Sequence, residues 1–120
     1  MGKTVSFWFT WPPSVNHIWR HGKNHKKTYK TEVAKKWQSD NDLSDHATSS
    51  ESFGKARICV ALTMFPPDKR KRDIDNFTKC VIDQMQAFKV FDDDSQIDSL
   101  LIIRKQVVKG GKILAVVEEA

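Results

Sequence analysis

The chain has 120 residues, with 20 Lys and Arg against 15 Asp and Glu and a formal net charge of +5, which suits a single compact domain over residues 1–120 and leaves little room for a second. No apolar run approaches the roughly 20 residues that cross a bilayer, and no signal-peptide core opens the chain, so no membrane association is expected and the cytoplasm is the expected compartment. The charge is uneven: residues 19–30 hold Arg20, Lys23, Lys26, Lys27 and Lys30 with no acid, and Lys69-Arg70-Lys71-Arg72 form a second run, a clustering that favours a polyanionic partner such as nucleic acid over general solubility.

Thr4 to Thr10 is rich in β-branched and aromatic residues and is stopped by Trp11-Pro12-Pro13-Ser14, which predicts a first strand with a hard break. Residues 14–30 read as a basic loop, too polar to pack and too long to be only a connector, of the kind that is functional or disordered. Within it His17, His21 and His25 recur every four residues, which on a helix would offer three imidazoles to one metal. Gly22, Lys23 and Asn24 favour a loop instead, with the histidines and Arg20 touching DNA phosphate. Trp19 and Tyr29 are candidates to stack on unpaired bases, with plain packing as the alternative, whereas for Trp8 and Trp37 packing is the expectation.

From Thr31, the four-residue step between Val33 and Trp37 begins a helix running to about Ala47, before the polar linker Thr48 to Ser52. Lys55 to Phe65 puts Ala56, Ile58, Val60, Leu62 and Met64 on one side of a long strand, closed by Pro66-Pro67 and expected at the centre of a sheet. Ile74, Phe77, Val81, Met85 and Phe88 form the stripe of an amphipathic helix, with Asp73 as its N-cap. Ile97 to Val108 and Ile113 to Glu118 flank Lys109-Gly110-Gly111-Lys112 and read as a β-hairpin. Cys59 and Cys80 lie in apolar stretches outside any Cys-x-x-Cys pair and are expected as buried free thiols. Together these elements predict an α+β fold: a mixed sheet of four or five strands, in the order β-α-β-α-β-β, with two helices packed on one face.

The segment richest in chemistry is Arg72-Asp73-Ile74-Asp75-Asn76-Phe77-Thr78-Lys79, followed by Asp92-Asp93-Asp94-Ser95-Gln96. Asp73, Asp75 and Asp94 offer hard oxygen ligands from two places in the chain, the type of set that holds Mg²⁺ together with water and phosphate oxygens. The adjacent run Lys69 to Arg72 would draw in those phosphates. On a continuous helix Asp75, Lys79 and Asp83 share one flank, so Asp75 and Lys79 could face one phosphate, the lysine offsetting charge on the phosphorane or orienting the nucleophile. Each residue alone also has a plainer role. Asp73 and Asp75 can cap the helix, Asp92 to Asp94 can be a solvated turn, and Lys79 can pair with Asp75 or Asp83. It is the combination of paired acids, lysine, distal acids and cationic run that favours a site.

These residues resemble the RusA family of Holliday junction resolvases, small metal-dependent endonucleases of bacteria and their prophages. The match runs through the basic stretch Lys69 to Arg72, D-x-D-N-x-x-K as Asp73 to Lys79, then Asp83, and D-D-x-Q as Asp93-Asp94-Ser95-Gln96. Trp11-Pro12-Pro13-Ser14-x-Asn16 and Lys109-Gly110-Gly111 extend it in collinear order over most of the chain. The resemblance implies a homodimer that binds four-way junction DNA and nicks it symmetrically across the branch point with Mg²⁺ or Mn²⁺. It also implies Asp73, Asp75 and Asp94 as metal-binding acids, Lys79 as the catalytic lysine, Asp93 as the reserve ligand, and a bacterial or prophage origin. Arg20, Lys23, Lys26, Lys27, Lys69, Arg70, Lys71 and Arg72 are the expected DNA contacts. One site per chain means that two cuts require a symmetric dimer, for which the apolar strand Ile97 to Val108 is the candidate surface. The competing expectations are a non-catalytic module for branched DNA and a nuclease acting on other branched DNA such as flaps.

Overall fold

The structure, a computed structural model, describes residues 2–13, 19–21, 28–30, 32–44 and 52–120. In chain order its elements are β1 (Thr4–Thr10), β2 (Trp19–His21), β3 (Thr28–Lys30), α1 (Glu32–Asp40), β4 (Ile58–Phe65), α2 (Thr78–Ala87), β5 (Ile97–Arg104) and β6 (Lys112–Glu119). Short 3-10 turns, Ile74–Phe77 and Asp94–Gln96, lead into α2 and β5. The main sheet is mixed and four-stranded, ordered β1-β6-β4-β5, antiparallel except for the parallel pair β4 and β5. This is the expected α+β class.

Strict alternation builds the core. Ile58, Val60, Leu62 and Met64 of β4 are buried and share a face with Ile113, Ala115 and Val117 of β6. Phe7 and Phe9 of β1 complete that face. Trp37 of α1 stacks on Phe9 at 5.9 Å, and Val81 and Met85 of α2 are fully buried in the same cluster. Two parallel strands need a crossover between them, and α2 supplies it.

Polar ties close the ends of these elements. Asn41 Nδ2 donates to the Trp37 carbonyl at 2.8 Å and its Oδ1 accepts from the Thr10 amide at 2.9 Å, while Trp37 Nε1 donates to the Thr10 carbonyl. α1 therefore ends at Asp40, where the buried Asn41 side chain bonds the Trp37 carbonyl, rather than continuing toward Ala47; residues 45–47 lie outside the described residues. Buried Gln84 of α2 donates to the Gln38 and Asn41 carbonyls, both at 2.8 Å, and joins the two helices.

Several expectations need correction. The expected hairpin does not form: β6 inserts between β1 and β4, and β5 pairs with the other edge of β4. The physical reason is burial, because β6 alternates buried residues and belongs inside the sheet, whereas β5 is mostly exposed and suits an edge. β5 ends at Arg104, and residues 105–111 carry the chain back across the end of β4. Residues 14–30 are not wholly loop, since β2 and β3 pair antiparallel with Arg20 opposite Tyr29. His21 is on a strand there, which removes the helical three-histidine arrangement; His17, His25, Lys23, Lys26 and Lys27 lie outside the described residues. On α1 the inward face is Ala34 and Trp37, with Val33 exposed. Trp8, expected to pack, is 54% exposed. Cys80 is buried and outside any disulfide, as expected, but Cys59 is only half-buried because it points to the opposite face of β4.

Candidate active site

The acidic turn is set by where α2 begins. Asp73 has the extended backbone of an N-cap (φ −84°, ψ 124°), yet its carboxylate makes no capping hydrogen bond. The 3-10 turn that follows holds Asp75, and α2 proper starts only at Thr78, whose hydroxyl donates to the Asp75 carbonyl at 3.0 Å. Asp73 and Asp75 are both exposed, and neither carboxylate has a partner among the described residues. The break in helix type alters the expected flank. Lys79 Nζ lies 3.1 Å from Asp83 Oδ2, one α-helical turn on, and does not pair with Asp75.

The distal acids are sorted by the turn before β5. Asp93 accepts from the Ser95 amide at 2.9 Å while its own amide donates to Gln96 Oε1 at 2.8 Å, a capping box. The hydrogen bonds from Ser95 hold the Asp93 carboxyl below its usual range. Gln96 is buried, and its Nε2 donates to the Gly54 carbonyl at 2.9 Å and the Ala56 carbonyl at 2.6 Å. The D-D-x-Q pattern thus contains its own anchor. Asp93 caps the turn, Gln96 pins it, and the exposed Asp94 carboxylate is left without a partner among the described residues.

These acids do not converge within one chain. The Asp94 amide donates to Gln86 Oε1, in the last turn of α2, whereas Asp75 precedes the first turn, a separation of about 15 Å at 1.5 Å rise per residue. At the far end of β5, Arg104 donates to the Arg72 carbonyl, which puts the basic run and Asp73 opposite the Asp94 end. Consistently, no group of three His, Cys, Asp or Glu is assembled as a metal site among the described residues. Asp73 and Asp75 remain as a pair of carboxylates two residues apart with no partner among the described residues, a donor set that fits Mg²⁺ completed by water and substrate phosphate.

The cationic run is not uniform either. Arg72 is half-buried, with Nη1 2.7 Å from Asp68 Oδ1, and Arg70 stands at 3.8 Å from the same carboxylate. The Asp68 carboxyl is held down to about 2, chiefly by the hydrogen bond from Arg72 and then by the Arg70 amide. Lys69 and Lys71 are exposed and unpaired among the described residues, free for phosphates. A carboxyl with a lowered folded-state pKa stabilises above its unfolded value and loses that contribution as pH falls. Thermal midpoints measured from pH 4 down to pH 2 should therefore drop less steeply in Asp68→Asn than in the wild type, and parallel curves would show that the pair does not stabilise the fold. Sequence reasoning missed Arg104 and Lys105, which stand beside this run; two adjacent cations closing an apolar strand were the available signal.

The three remaining motif stretches meet here. Trp11 and Phe77 rings lie 4.8 Å apart, and a Cβ placed on Gly111 would come within 2.9 Å of both Trp11 Cβ and Pro67 Cδ. The model of the family described as "Endodeoxyribonuclease RusA" matches residues 10–115, from the end of β1 into β6. The chain belongs to the RusA family. It is 29% identical over 107 residues to the crossover junction endodeoxyribonuclease of Enterobacteria phage HK97, spanning 89% of this chain and 88% of that protein. To the enzyme of the same name from Escherichia coli (strain K12) it is 28% identical over 119 residues, 97% of this chain and 95% of the relative. The counterpart from Enterobacteria phage 82 is 28% identical over 112 residues. In this RusA chain the Trp-Pro-Pro, Pro-Pro and Gly-Gly stretches form one wall, and the acidic turn is mounted on it.

Proposed function

We propose that this chain is a Mg²⁺-dependent, structure-selective endodeoxyribonuclease that resolves four-way DNA junctions by paired symmetric nicks, in recombination and repair. The observation that carries the reading is the pair of uncommitted carboxylates, Asp73 and Asp75, directly after a cationic run in a RusA-family fold. Acids left unpaired beside cations that attract a polyanion have little structural use. Asp73 and Asp75 would hold the ion, and Mg²⁺ bound there would supply polarisation of the scissile phosphate and a lower pKa for attacking water. Lys69 and Lys71 bind flanking phosphates. Lys79, paired with Asp83 one turn away, would supply positive charge for the phosphorane. Mn²⁺ is an acceptable substitute for such an oxygen site.

Two cuts from chains with one site each call for a homodimer. The face of the sheet away from the helices carries Trp8, Leu101 and Ile103 exposed, with Lys112 at one end of β6 and Glu118 at the other. A two-fold axis running across the strands pairs Lys112 of one copy with Glu118 of its partner, and so favours antiparallel packing of the two faces. Asp94, at the opposite end of α2, would reach an Asp73–Asp75 pair only across such a dimer. Leu101→Glu should convert dimer to monomer in sedimentation; a dimer that survives would redirect the interface to another surface.

The test of the main reading is incubation with a labelled four-way junction and a matched linear duplex, in Mg²⁺ or EDTA. Paired symmetric nicks in the junction with metal are expected. Binding with no product in any metal would favour the non-catalytic module, and equal cutting of flaps would widen the substrate class.

A further inference from the structure

Beside the acidic turn lies a pocket of about 210 Å³ whose floor is Trp11, Ile74 and Phe77 and whose rim includes Arg72, Arg104 and Lys105. The floor is apolar and π-faced, with the two rings tilted 47° to each other. The Arg72 guanidinium sits 5.8 Å from the Trp11 ring centroid, fixed by Asp68 through Nη1. Its Nε and Nη2 make no hydrogen bond among the described residues, so donors remain for a ligand. Val107, 41% exposed, is part of the lining.

The size is below that of ordinary small-molecule sites, which begin at about 300 Å³. A flat ring system attached to a polyanion fits the combination of aromatic floor and cationic rim, since bases stack on aromatic and guanidinium planes while lysines and arginines take the phosphates. Position adds a second argument. Arg72 and Ile74 line the pocket, and the exposed Asp73 and Asp75 alternate with them along the chain. A base held here leaves its own phosphate beside the acids.

We propose that this pocket receives a single unstacked nucleobase from the junction centre, next to the phosphate to be cut, and thereby selects an opened junction. This deepens the reading of the chain as a junction nuclease and rests on it.

The test is a binding cycle between Val107→Phe, which fills the pocket from its exposed side, and junctions carrying one abasic nucleotide at each crossover position in turn. Wild type should lose about tenfold in affinity at one abasic position, the scale of one base–aromatic stack. Val107→Phe should lose about tenfold on the intact junction, less than twofold more on that abasic junction, and less than twofold on linear duplex. Losses that multiply at every position, or a variant that binds the intact junction like wild type, would overturn the pocket assignment while leaving the nuclease reading intact. Failure of wild type to bind either DNA would overturn both.

Discussion

Asp75→Asn should lower junction cleavage by a thousandfold or more and leave junction affinity unchanged or slightly improved. Loss of a metal-ligating carboxylate removes several kcal/mol of transition-state stabilisation, and about 4 kcal/mol corresponds to roughly a thousandfold in rate. Affinity behaves differently, because deleting a negative charge from a surface that meets phosphates cannot weaken the attraction. The fold should be untouched: the Asp75 carboxylate has no partner among the described residues, and the bond that starts α2 uses its backbone carbonyl. Single-turnover cleavage and equilibrium binding on the same labelled junction separate the two quantities. Full cleavage by Asp75→Asn would remove this turn from the mechanism. Lys79→Ala belongs in the same experiment, since its exposed pairing with Asp83 is worth only tenths of a kcal/mol to stability, so a drop in turnover there reports chemistry.

Gly111→Ala should destabilise the protein by about 3 kcal/mol, whereas Gly110→Ala should cost about 1 kcal/mol. Both glycines have left-handed backbones, φ +73° and +84°, so any other residue is strained at either position. Only at Gly111 is there also no space: the added carbon would lie 2.9 Å from Trp11 Cβ and from Pro67 Cδ, while nothing lies within 4 Å at Gly110. The expected fall in thermal midpoint is on the order of 10 °C for Gly111→Ala and a few degrees for Gly110→Ala. Equal shifts would mean that the wall yields to the extra carbon. Because Trp11 floors the pocket, a structural shift at Gly111 should also be felt in junction binding.

The contrast between these two substitutions also marks how far the local sequence reaches. Gly-Gly correctly signals a reversal, and the alternation in β4 correctly assigns its inward face, because both are properties of adjacent residues: left-handed backbone in one case, a side-chain period of two in the other. The pairing of strands is not such a property. Whether β6 returns beside β5 or enters between β1 and β4 depends on which strand buries more against the whole core, and a hairpin pattern is silent on that competition.

The site divides in the same way. Acids, lysine and cationic run were legible as a pattern because their residue types and rough spacing can be read along the chain. Asp93 and Asp94 could not be distinguished there, since three acids in a row look alike until a capping box commits one of them. The helical flank joining Asp75 to Lys79 was inferred from spacing, but a 3-10 turn holds Asp75, α2 begins only at Thr78, and Lys79 pairs with Asp83. The sequence by itself determined the fold class, the inward faces of β4 and α2, and which acids and cations lie close together along the chain, all of them consequences of periodicity and side-chain chemistry. Only the tertiary structure decided strand order, the separation of Asp94 from Asp75 along α2, and the pocket that Trp11, Phe77 and Arg104 build from three distant parts of the chain, because these depend on which surfaces bury one another.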